Sequence, residues 1–140
     1  MSLANAIHRY WANTATLADQ VSIDNVITGK VPDDLIERPY VVIEYSKESE
    51  RDSSTVIVDN YVVTFTVTAD SDEDAETITQ WITKEYDDSI AKHRMHMDGN
   101  DELLASYELS TSVTEPEPGV WQGVVTFRFV VGTLVEAPTT

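Results

Sequence analysis

Chemistry in this chain would have to come from histidine, carboxylate and hydroxyl groups, because its 140 residues include 3 His and 25 Asp plus Glu but no Cys. Without thiols there is no disulfide framework, thiolate zinc site or cysteine nucleophile. His93 and His96 stand three apart with Asp98 and Asp101 close behind, and on a helix that spacing turns two imidazoles toward one metal ion. No third ligand follows at a fixed spacing. The segment reads instead as solvated histidines near a helix C-terminus, where their partial positive charge is favourable. Asp70, Asp72 and Asp74 alternate like the opening of a calcium loop, but Ala75 stands where the sharp turn needs glycine and Trp81 where a bidentate carboxylate is needed. Asp98, Asn100 and Glu102 repeat the pattern with Leu103 and Leu109 at the same two places, so a turn is the better reading.

Nucleophilic catalysis fares no better. No Gly-x-Ser-x-Gly elbow exists, and none of His8, His93 and His96 lies in a strand-to-helix turn. The 5 glycines are dispersed, which leaves no phosphate-cradling loop. Acidic pairs such as Asp87 with Asp88, or Glu115 with Glu117, arise by chance in so acidic a chain and read as solvated carboxylates. Trp11, Trp81 and Trp121 fall on apolar stripes or at their edges, where core packing accounts for them. The sequence therefore predicts a protein without catalysis, metal or cofactor.

Charge narrows the partners. Against 25 acidic residues stand 9 Lys plus Arg, a formal net charge of −16. Such a surface repels phosphates, which argues against sequence-reading DNA or RNA binding. No apolar run approaches the ~18 residues of a membrane span. Met1 to Trp11 lacks the basic flank and continuous apolar stretch of a signal peptide. A soluble intracellular product is expected, with one domain over residues 1–135 and a flexible tail over 136–140.

The elements that must carry these residues follow from periodicity. Leu3, Ile7, Tyr10, Trp11, Thr14, Leu17 and Ala18 form a helical stripe over Leu3 to Ala18, with Ser2 as its N-cap. Val21 to Thr28 predicts a short strand, and Pro32 an irregular connection after it. Tyr40 to Tyr45 is apolar enough for a central strand buried on both sides. Ser46 to Ser54 is polar and predicts a mobile loop. From Thr55 to Ala69 a period of two puts Tyr61, Val63, Phe65, Val67 and Ala69 on a dry face, in one long strand with a bulge at Asp59 and Asn60. Ser71 followed by Asp72, Glu73 and Asp74 starts a second helix that runs to Tyr86 or Ala91. Leu104 to Val113 and Val120 to Val135 close the chain as a hairpin, whose loop Glu115 to Gly119 contains two prolines that a ladder would not accept. The fold class is α+β: a mostly antiparallel sheet with two α-helices packed on one face, ending in a long β-hairpin.

In element order and apolar texture the chain resembles the tailed-phage tail terminator and head-tail joining (tail completion) proteins. The residues carrying the resemblance are Ile27 to Pro32 (ITGKVP), Arg38 to Tyr45 (RPYVVIEY), Tyr61 to Ala69 (YVVTFTVTA), the helix opened by Ser71, and Trp121 to Phe129 (WQGVVTFRF). The resemblance spans nearly the whole chain. It implies a structural virion protein, assembled in the host cytoplasm, whose copies close into a ring, commonly a hexamer, at the head-proximal end of the tail. Its partners would be itself, the tail tube and the neck or connector, with DNA a non-specific passenger through the lumen and no membrane. Six copies would carry about −96, six times −16, and carboxylates facing a lumen would let DNA slide without sticking.

A ring needs one surface of a subunit to meet a different surface of the next. The exposed sheet edge and the two polar segments are the expected contributors. They give Lys47, Glu48, Glu50, Arg51 and Asp52 in one segment and Glu115, Pro116, Glu117 and Pro118 in the other. The competing reading is a small acidic monomeric module that binds a ligand or protein without catalysis, which predicts a concave pocket with convergent polar groups.

Overall fold

The computed structural model describes residues 3–29, 37–52, 56–87, 95–97, 99 and 101–134, the side chains of 49–52 excepted. Ser2, the Pro32 connection, His93, Asp98 and the tail 136–140 lie outside the described residues. In chain order the elements are α1 (Leu3–Asn13), α2 (Ala15–Gln20), a 3-10 turn (Ile23–Asn25), β1 (Val26–Thr28), β2 (Tyr40–Asp52), β3 (Val56–Ala69), α3 (Asp72–Tyr86), β4 (Asp101–Glu117) and β5 (Val120–Leu134). The five strands form one sheet in the order β1-β2-β3-β5-β4. β1 runs parallel to β2 and every other pair is antiparallel, so the fold is α+β with a mostly antiparallel sheet.

The helices lie on one face because alternate strand residues leave a continuous apolar surface only there. Val63, Phe65, Val67, Val125, Phe127 and Phe129 are fully buried, together with Ile7, Trp11, Leu17 and Ile82 from the helices. Tyr86 ends α3 at the centre of this layer, its ring against Tyr10, Trp11, Phe65, Phe127 and Phe129. Its hydroxyl donates to the Ile7 carbonyl at 2.8 Å, tying α3 to α1. Burial pushes that hydroxyl well above its ordinary pKa of 10.0. α3 starts where the sequence places it: Ser71 Oγ accepts from the Asp74 amide at 3.1 Å, and three carboxylates follow at the positive end of the helix dipole. Gly123 lets α3 approach β5. A Cβ there would overlap the Thr79 methyl and stand 3.2 Å from the Ala75 carbonyl oxygen.

Six expectations need correction. The N-terminal helix is two helices, because Thr14 turns extended (φ −105, ψ 107) and its hydroxyl bonds the Tyr10 carbonyl, a local competitor for helical backbone. Val21 to Thr28 is strand only over Val26–Thr28, since Ser22 Oγ accepts from the Asp24 amide and caps a 3-10 turn. The β2 strand is covered less than a two-sided core strand: Val41, Val42 and Ile43 are buried, Glu44 and Tyr45 exposed.

The supposed mobile loop is β2 itself as far as Asp52, because the first half of β3 needs a ladder partner for its backbone and that pairing is indifferent to polar side chains. β3 is continuous, as expected, but the register slips in β2, where Glu48 is the extra residue between the pairs Lys47 with Tyr61 and Ser49 with Asn60. Finally, Glu115, Pro116 and Glu117 belong to β4, leaving Pro118 and Gly119 as the turn. β4 is a sheet edge, and its register shifts between Thr114 and Glu117, so Pro116 sits where a missing donor is tolerated.

Candidate functional site

Among the described residues no three His, Cys, Asp or Glu side chains cluster to hold a metal ion. His96 is exposed, and its carbonyl accepts from Arg9 Nη2 at 2.7 Å. His8 packs between α1 and β1, hydrogen bonded to the Thr28 hydroxyl, and burial lowers its pKa below the ordinary 6.5. Asp101 opens β4, and its Oδ1 accepts from the Thr133 hydroxyl at 2.6 Å. Asp70 pairs with Arg38 at 3.0 Å, and Asp72 and Asp74 are exposed in the first turn of α3. No helix of the described residues is long and apolar enough to cross a membrane.

The two predicted interaction segments stand at opposite ends of the sheet. Lys47 pairs with Tyr61, whereas the β4–β5 turn lies beyond the pair Ala69 with Trp121. Eight strand residues at ~3.3 Å each separate those rows by about 26 Å.

At the turn end, Gly119 takes a left-handed backbone (φ 80) and its amide donates to Glu115 Oε2 at 3.1 Å. Glu115, Pro116, Glu117 and Pro118 are all exposed there. The topology brings the start of α3 and the 3-10 turn to this same end, so exposed Asp24, Glu37, Asp70, Asp72, Glu73, Asp74 and Glu76 join the two glutamates. Arg38 is the one described cation among them.

The far end is mixed in charge. Glu48, carried out by the β2 bulge, grips Arg128 Nη2 through both carboxylate oxygens at 3.0 and 3.1 Å. Hydrogen bonds that the Arg128 guanidinium donates to the Tyr107 hydroxyl and to Glu48 hold it above its ordinary pKa. Lys47 points to the helix side of the sheet, its Nζ 3.5 Å from Asp59 Oδ1. Glu50, Arg51 and Asp52 pair through their backbones with Asp59, Val58 and Ile57.

Here the sequence missed a feature. Leu3, Tyr45, Asp59, Tyr61, Met97, Asp101, Val131 and Thr133 line a small cavity of about 170 Å³ where the sheet extends past the start of α1. Burial, and the nearby Asp59 carboxylate, push the Tyr61 hydroxyl above 10.0, with Lys47 opposing and Asp101 adding to the rise. The available signal was the alternation of Asp59 with Tyr61, which puts both on the same face as the core.

No protein-family model matches the chain, and no curated protein matches it in sequence. The fold does have a solved relative. A chain of the "Virion of native gene transfer agent (GTA) particle" aligns with 94% of this chain and 95% of its own length, with a TM-score of 0.75 at 15% identity. The two chains therefore share one fold almost from end to end.

Proposed function

We propose that the chain is a structural component of a phage-type virion, without catalysis, whose copies assemble into a ring at the head-proximal end of the tail. There it would end the tail tube, join tail to head, or do both. The observation that carries this reading is the shared fold with a gene transfer agent virion chain over nearly the full length of both. The sequence resemblance to tail terminator and head-tail joining proteins points the same way.

The distribution of charge supports a ring built from unlike contacts. One end of the sheet is densely acidic and the other mixed, so a subunit offers two different surfaces about 26 Å apart along the strands. β4 is an edge of the sheet, where a neighbouring chain could add a strand. Carboxylates at the acidic end would keep passing DNA from adhering.

The test is to shorten the hairpin by deleting Glu115 to Gly119 and joining the strands through a two-residue turn. Tail completion should fail in particles carrying that variant while circular dichroism of the isolated protein stays unchanged. Normal particles would remove the hairpin from the interface.

A further inference from the structure

The cavity at the mixed end has a composition that neither the ring nor the core explains. Asp59 is a buried carboxylate, 9% exposed as a residue. Its Oδ1 is sealed from solvent and, among the described residues, accepts no hydrogen bond. Lys47 Nζ forms an ion pair with it from 3.5 Å, outside the ~2.7–2.9 Å of a charge-assisted hydrogen bond. A buried acceptor left in this condition costs free energy that a donor entering the cavity would recover.

The rest of the cavity specifies the donor. Asp101 supplies a second carboxylate, fixed by the Thr133 hydroxyl at 2.6 Å. Tyr45 and Tyr61 supply two rings, 6.2 Å between centroids and 65° apart, with Tyr45 open to solvent. Two carboxylates beside tyrosine faces suit a flat cation with several N–H donors. A guanidinium satisfies both, forking to carboxylate and stacking on aromatic rings, whereas an ammonium is a compact, strongly hydrated point charge. At about 170 Å³ the cavity takes a side-chain head and little more.

We propose that this cavity is a receptor for a guanidinium group, the head of an arginine side chain presented by a neighbouring chain. Asp59 and Asp101 receive its N–H donors, and Tyr45 and Tyr61 flank its plane. The proposal is independent of the ring, since the cavity belongs to the single chain.

The test is a titration of the full ¹⁵N-labelled chain with Nα-acetylarginine amide, ionic strength held constant with sodium chloride. Saturable shifts should be confined to residues around Tyr45, Asp59, Tyr61, Asp101 and Thr133, and Asp101→Asn should weaken binding at least tenfold. Nα-acetyllysine amide should bind more weakly than the arginine probe. Absence of saturation, equal binding by Asp101→Asn, equal binding of the lysine probe, or saturation by calcium chloride alone would each overturn the proposal. Asp101 lies at the start of an edge strand, so its variant keeps the test decisive even where Asp59→Asn fails to fold. Light scattering then identifies the donor: Asp101→Asn reduces self-association if the arginine comes from a second copy, and leaves it unchanged if it comes from another protein.

Discussion

Phe127 and Thr126 are neighbours in β5 and live in different environments: the Phe127 ring is fully buried under the helices, while the Thr126 hydroxyl stands half-exposed, 3.5 Å from that of Thr64. The contrast repeats along the central strands. Val63, Phe65 and Val67 are buried on the helix side, and Val62, Thr64 and Thr66 are half-exposed on the other. One face of the sheet therefore carries most of the apolar burial that drives folding, and the other keeps β-branched residues that are mostly only partly covered, Val42 and Thr68 excepted. Stability and display are divided between the two faces of the same five strands.

Substitutions can break or sharpen that division. The largest effect should come from Phe127→Ala, which empties the centre of the aromatic cluster and should cost about 3–5 kcal/mol in urea unfolding. A loss under ~1 kcal/mol would mean the covered face is not the core. Gly123→Val should come next: the new side chain meets the Thr79 methyl and the Ala75 carbonyl, so α3 must shift, at about 1–3 kcal/mol, with a changed near-ultraviolet signal from the aromatic cluster.

On the open face Thr126→Ala should cost less than about 1 kcal/mol, the size of one cross-strand pair, and a cost matching that of Phe127→Ala would erase the contrast. Smallest of all, Arg128→Ala removes an exposed ion pair with Glu48, so its change in unfolding midpoint should be slight at low salt and vanish at high salt.

Much of this fold was legible in the chain because one-sided burial writes a period into the sequence. Val63, Phe65 and Val67 alternate with threonine and valine, and Ser71 with its three following carboxylates marks a helix start without tertiary help. What was hidden depends on pairing across the chain. Ser46 to Asp52 has the composition of a loop and becomes a strand only because β3 lies alongside to take its backbone bonds. Glu115 to Glu117 looked unfit for a ladder and is tolerated because β4 is an edge, a property of strand order rather than of local sequence.

The expected interaction residues fall in two polar segments of the sequence. Composition could not reveal that they lie at opposite ends of the sheet, nor that Tyr45, Asp59, Tyr61 and Asp101 converge from three strands on one cavity.

The central claim is that copies of this chain assemble with one another, and its most direct test is the absolute mass in solution by light scattering, over a range of concentration and from low to high salt. At −16 per chain, repulsion should hold subunits apart at low ionic strength, and shortening the Debye length from ~10 Å at 0.1 M to ~3 Å at 1 M should relieve it. The account predicts a closed species that grows with salt and concentration, near 94 kDa for six copies of 15.6 kDa. A single 15.6 kDa species under every condition would contradict it.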